Sequence, residues 1–280
     1  MRGSTLFWLT SIALLSPGSG AALAQPANPE GSGSRRVVLV ELYTSQGCDM
    51  CPEAEKNLGI LAGRERRIVP IAFHVDYFNR PWKDPFSEAL YSQRQMAFNS
   101  LYTKPKNKEY GLYYTPMMMI DGEQSINGRD PAGAEAAIRR ALAKKPQVTL
   151  KTTLELTNDT RTGKLAVKVA PRSPVAQDKE LLVCAVLRED GVVTKVESGE
   201  NAKKTLTARF PARATKFSLI ELKSKGESEK LLSFTFDRDP AWNVEKLDLA
   251  VFVQDKATGV IYQAADLPWR STPGTATSEK

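Results

Sequence analysis

A Cys-x-x-Cys pair set between an unbroken apolar run and a helical pattern constrains this chain more than any other feature. The run is Val37–Tyr43 (VVLVELY), which carries one acid and reads as a strand buried on both faces. After the loop Thr44–Gly47 comes Cys48-Asp49-Met50-Cys51. Ala54, Leu58, Leu61 and Ala62 then recur at helical spacing, with Gly63 as a stop. A strand-to-helix junction puts Cys48 beside helix N–H groups that have no partner, whose positive end stabilises a thiolate. The spacing lets the two sulfurs meet across one turn, so the pair can cycle between dithiol and disulfide. A static structural disulfide and half of a metal site are the other readings. A zinc knuckle needs a second C-x-x-C, and there is none; 3 Cys and 1 His in all exclude a disulfide-stapled mini-domain and a multi-His metal centre.

Farther along, Ile68–Val75 (IVPIAFHV) reads as a second strand. Asp84-Pro85 reads as a cap with proline in the first helical turn, opening a helix to about Tyr102. Met117–Ile120, the Asp121-Gly122 turn and Glu123–Asn127 read as a hairpin. Asp130-Pro131 starts a helix that ends near Lys145. The order over residues 37–145 is β-α-β-α-β-β-α. From Gln147 the character changes to short, often alternating segments with polar turns, from Val148–Leu156 to Val260–Ala265, which points to an antiparallel sandwich over 147–270. Residues 25–36 read as a flexible leader and 271–280 as a disordered tail.

Residues 1–24 read as a secretory signal: Arg2, the apolar stretch Leu6–Leu15, and Ala22-Leu23-Ala24 before Gln25. An uncleaved anchor is the other reading, but the stretch falls short of the roughly 20 residues that span a bilayer. The expectation is a periplasmic or secreted protein that does not span a membrane after signal removal and works in an oxidising compartment. The net charge of +7 includes Arg64, Arg66 and Arg67 and Lys104, Lys106 and Lys108. These runs lack regular aromatic interleaving and read as solvated faces, so nucleic acid is not an expected partner.

His74, Asp76 and Tyr77 end the second strand on the sheet edge that carries the C-x-x-C loop. His74 is either structural or a proton or metal ligand. Trp82, Lys83 and Asp84 form a packed loop and cap, with a substrate groove as their second role. Met50 and Met117–Met119 suggest Cu(I), held by Cys48, Cys51 and His74. Alternation turns Met118 away from Met117 and Met119, so core packing accounts for at least part of that run. Cys184, in LLVCAVL, reads as a buried inert thiol.

The strings ELYTSQGCDMCPEAE, AFHVDYFNRPWKDPF, YSQRQ and YTPMMMIDG, with ESGENAKKTL and VFVQDKATG farther on, resemble the secreted proteins grouped as domain of unknown function 1223. Residues 37–145 also resemble a thioredoxin-like domain. The fold these resemblances imply is a thioredoxin-like α/β domain followed by an all-β antiparallel sandwich. They carry over Cys48, Cys51 and Pro116, the last in the place of a cis-proline that faces the C-x-x-C. Asp49-Met50 matches neither the Gly-Pro of thioredoxins nor the Pro-His of strong disulfide oxidants. Glu41 is either a buried acid that exchanges a proton with Cys51 or an exposed strand end. The implied activity is thiol–disulfide exchange on envelope proteins. Cys48 attacks, Cys51 resolves, and the backbone beside Pro116 pairs with the substrate along Thr115, Trp82 and Tyr77. The exchange uses the protein's own sulfurs, so no organic cofactor is implied, and a redox partner would recycle the pair. The other readings are a Cu(I) metallochaperone and a non-catalytic binding module.

Overall fold

The apolar run and the pattern that follows it fold as expected: β1 (Val38–Thr44) leads through the cysteine loop into α1 (Cys51–Arg64). These elements come from a computed structural model, which describes Met1 and residues 35–102, 112–224 and 229–272. The expected signal 1–24, most of the leader, Lys104, Lys106, Lys108 and the tail beyond 272 lie outside the described residues. β2 (Ile68–His74), α2 (Ala89–Leu101), β3 (Met117–Ile120), β4 (Gln124–Asn127) and α3 (Pro131–Leu142) follow. β1 runs parallel to β2 and antiparallel to β3, giving the sheet β2-β1-β3-β4. α3 starts where the sequence predicts, with the Asp130 carboxylate accepting from the Gly133 N–H at 2.9 Å. α2 starts at Ala89, five residues beyond Asp84. That carboxylate is taken by His74, by the Gln46 N–H and by the Phe86 N–H, so residues 84–87 form a separate turn.

The remaining strands are β5 (Val148–Leu156), β6 (Thr162–Pro171), β7 (Glu180–Glu189), β8 (Val192–Lys195), β9 (Thr205–Ala208), β10 (Ala212–Glu221), β11 (Lys230–Asp237), β12 (Leu247–Asp255) and β13 (Ile261–Pro268). They form the sheets β10-β7-β12-β13 and β11-β6-β5 and the separate hairpin β8-β9. Among the described residues no helix is long and apolar enough to cross a membrane.

The expected class, a thioredoxin-like α/β domain followed by an all-β antiparallel sandwich, needs correction. The described chain is mostly β, with thirteen strands against three α-helices in several small sheets. One face of β2-β1-β3-β4 carries helices: Val38, Val40 and Leu42 pack with Leu58 of α1 and Ile138 of α3. The other face lies against α2 and directly against a second sheet. Leu39, Tyr43 and Phe73 share a core with Cys184, Val186, Ala250 and Phe252. The alternate residues Val183, Ala185, Leu187, Leu249, Val251 and Val253 face β5 and β6. The central strands β7 and β12 of the sheet β10-β7-β12-β13 are thus buried on both sides, which is why LLVCAVL and LAVFV are almost unbroken apolar runs. Polar ties reinforce the contact: the Ala72 N–H donates to Phe210 O at 2.9 Å, and Arg188 donates to Pro70 O.

Candidate functional site

Cys48 and Cys51 form a disulfide with a Cα–Cα separation of 5.4 Å. Cys51 is the first residue of α1, and its N–H donates to Cys48 O at 3.3 Å, so the bridge closes the entry to the helix. The sulfur-bearing residues are 1% and 0% exposed, whereas Met50 between them is 45% exposed. The middle of the loop faces solvent and the disulfide faces inward.

One turn into α1, on the face that carries Cys51, stands Glu55. It is buried, and it accepts from Thr44 Oγ1 at 3.3 Å and from the Arg209 N–H at 2.9 Å. His74, at the end of β2, brings Nε2 to 3.6 Å from Glu55 Oε1 and Nδ1 to 2.7 Å from Asp84 Oδ2. Burial pushes the Glu55 carboxyl above its ordinary range, and the His74 charge only partly offsets this. Burial opposes the His74 imidazolium, but the charge and hydrogen bond of Asp84 and the charge of Glu55 outweigh it and raise its pKa. For Asp84 burial is likewise overcome, by His74 and by the Gln46 and Phe86 N–H groups, and the carboxyl is held low. The result is a buried row of three ionisable side chains, Glu55, His74 and Asp84, with a hydrogen bond between the last two.

The Thr115–Pro116 bond is cis, and Pro116 O accepts from the Gly128 N–H at 2.9 Å. A Cβ on Gly128 would lie 2.7 Å from Ala54 Cβ and 3.1 Å from Pro116 Cβ, so glycine lets Pro116 approach the first turns of α1. Gln95 of α2 fixes the approach to this proline, donating to Tyr114 O at 2.7 Å and accepting from the Tyr77 hydroxyl at 3.0 Å. Tyr77 and Thr115 are thereby brought together, and the Tyr77 ring packs tilted against Tyr113 at a centroid distance of 4.9 Å. Trp82 is half-buried in a loop whose Arg80–Pro81 bond is also cis.

Glu41 is not brought to the sulfurs, which corrects the expectation that it serves Cys51. Strand alternation points it to the face opposite α1, where it is buried, 2.5 Å from Arg94 Nε and 3.2 Å from the Tyr43 hydroxyl. Met118 packs with α1 and α3, while Met117 and Met119 lie in the other core. Among the described residues no three His, Cys, Asp or Glu side chains are arranged to hold a metal ion. Cys184 is buried, and desolvation pushes its thiol up to about 12.

Sequence reasoning missed Glu55, although its i+4 spacing from Cys51 was available as a signal. It also missed the segment that holds the cysteine loop. Asn201 donates from Nδ2 to Gln46 O at 2.9 Å and to Cys48 O at 2.8 Å, and Glu200 accepts from the Asp49 N–H at 2.9 Å. No spacing rule links residues 150 positions apart.

Two solved structures share this architecture at low identity, a likeness of fold alone. The protein AGR_C_4864 of Agrobacterium tumefaciens is 19% identical, with a TM-score of 0.61 over 85% of this chain and 96% of its own. HBP35 of Porphyromonas gingivalis is 12% identical, with a TM-score of 0.64 over 89% of this chain and 80% of its own. No curated protein matches. A family model described as a protein of unknown function, DUF1223, matches residues 39–254, and the chain belongs to that family.

Proposed function

We propose that this protein is an exported thiol–disulfide oxidoreductase whose working group is Cys48–Cys51. The observation that carries the reading is the bridge at the N-terminus of α1 above the buried Glu55–His74–Asp84 string. In the oxidised form, a substrate thiolate attacks Cys48 Sγ. A substrate–Cys48 bond forms, the Cys48–Cys51 bond breaks, and Cys51 leaves as a thiolate that Glu55 can protonate. A second substrate thiolate then releases the substrate as a disulfide, and the protein keeps the two electrons. In the reducing direction the Cys48 thiolate attacks a substrate disulfide, and Cys51 resolves the mixed disulfide by re-forming the bridge. The helix N-terminus lowers the cost of the Cys48 thiolate. In this reading the substrate chain is taken up along Pro116, Thr115 and Tyr77. The signal-like segment 1–24 supports a periplasmic or secreted setting, in which the substrates are thiols or disulfides of envelope proteins and a separate partner resets the pair.

The near-zero exposure of both cysteines favours a second reading, a static structural disulfide in a binding module. Equilibrating the full chain in glutathione buffers separates the two. The proposal predicts reversible reduction with no loss of fold. A bridge that opens only on unfolding would overturn it. Asp49 next to Cys48, and Glu200 on the Asp49 N–H, raise the cost of the thiolate. The potential should therefore lie below about −120 mV, the strongly oxidising end of the range.

A further inference from the structure

Exchange needs a sulfur to approach the disulfide in line with its S–S bond, and here both cysteines are closed off from solvent, at 1% and 0% exposure. The β8-β9 hairpin, with its connection 196–204, is hydrogen-bonded to the loop that carries them. Along 192–208 only Val196, Asn201 and Ala208 are buried, so most of the segment is exposed. The hydrogen bonds between the connection and the cysteine loop come from two side chains, those of Glu200 and Asn201. The Asn201 carboxamide donates to Gln46 O and Cys48 O, and Glu200 accepts from the Asp49 N–H. Thr194, in β8 itself, accepts from Gln46 Nε2 at 2.6 Å. Among the described residues the hairpin pairs with no other strand, and an isolated two-stranded ribbon is marginal without other support.

Its root is fastened differently. Arg209 forms a two-pronged ion pair with Asp190, at 2.7 and 3.0 Å, and gives its N–H to Glu55. Its guanidinium lies where a side chain at Gly59 of α1 would stand. Phe210, the next residue, is buried in the core beneath α1. A firm root with a polar, exposed tip is the mechanical form of a hinged flap.

The tip also satisfies the cysteine loop much as a bound peptide would. It supplies two donors to backbone carbonyls and one acceptor to a backbone N–H, the pattern an extended chain presents. We propose that the β8-β9 hairpin is an autoinhibitory cap that holds the substrate's place over Cys48–Cys51. Exchange is then confined to extended polypeptide segments that displace Asn201. The inference rests on the exchange reading above and adds the regulation and substrate class of that site.

The test is the rate at which dithiothreitol reduces Cys48–Cys51 in the native full-length chain, followed by thiol labelling. Asn201→Ala removes both donors and should speed reduction about tenfold or more, with the fold retained at a lower melting temperature. Glu200→Ala, which removes the acceptor of the Asp49 N–H at an exposed side chain, should speed it a few-fold, and it carries the test alone if Asn201→Ala fails to fold. Rates equal to wild type in the folded variants would overturn the cap. Faster reduction together with no electron transfer from the reduced variant to a disulfide-bonded unfolded peptide would support the cap and overturn the exchange reading.

Discussion

His74 Nδ1 lies 2.7 Å from Asp84 Oδ2, and both side chains are closed off from solvent. A buried pair of this kind ties stability to pH in a definite direction. The folded-state pKa of His74 is raised, so its contribution is complete below the ordinary imidazole value near ~6.5 and is lost as pH rises through the folded value. The Asp84 carboxyl is lowered, so its share is complete above about 3.9 and is lost as pH falls through its folded value. Ionisation of Glu55, whose pKa is raised, subtracts stability as pH increases. The melting temperature should therefore fall as pH is raised above about 7. His74→Gln should flatten that fall while costing about 3 kcal/mol overall by leaving Asp84 without its charged partner. Parallel pH profiles for the two proteins would show that the pair is not ionised as described.

Glu55 is predicted to handle the proton of Cys51. Glu55→Gln keeps the size and most of the hydrogen bonding but cannot cycle a proton. Exchange with a disulfide-bonded peptide should slow by about 10²-fold near neutral pH, a typical general acid–base contribution. Raising the pH should restore part of the rate, because Cys51 then ionises without help. An unchanged rate and profile in stopped-flow measurements would take Glu55 out of the mechanism.

Glu41 should behave in the opposite way. Its partners, Arg94 and Tyr43, lie in the core between the two four-stranded sheets, and the Arg94 guanidinium sits over Phe73, Phe98 and Phe252 at 4.9–5.8 Å. Glu41→Ala leaves that guanidinium without its anion and should cost about 3–5 kcal/mol in denaturant unfolding. The native-state reduction rate of the disulfide should hold. A large change in that rate with little loss of stability would reverse the assignment of faces.

Gly128→Ala tests the approach of Pro116 to α1. The added methyl would meet Ala54 Cβ at 2.7 Å and should cost about 1–3 kcal/mol through overpacking. A melting temperature equal to wild type would mean the segment has slack to move.

The strands and helices were legible because their patterns are local. β3 and β5 match the expected bounds residue for residue, and Asp130-Pro131 marks the start of α3. The start of α2 was not legible, since Asp84 looks like a cap until His74 and Gln46, far along the chain, claim its carboxylate. The layering was not legible either. LLVCAVL has the same appearance whether it faces one neighbour or two, and only the packing of Cys184 and Val186 against the first sheet reveals the second. Within the site, the C-x-x-C and Pro116 could be read directly. The side of β1 to which Glu41 points depends on register, and a single residue of offset exchanges one face for the other.

The most direct test of the central claim is the set of mixed disulfides trapped by Cys51→Ser and by Cys48→Ser in the organism's envelope fraction, read on a non-reducing gel. If Cys48 attacks and Cys51 resolves, Cys51→Ser should accumulate high-mass adducts that a reductant dissolves. Cys48→Ser should trap few, because Cys51 lies within the first turn of α1 whereas Cys48 stands ahead of the helix, and Cys184→Ser should change neither pattern. Adducts mainly on Cys48→Ser would reverse the two roles. No adducts from either variant would contradict thiol–disulfide exchange as the function.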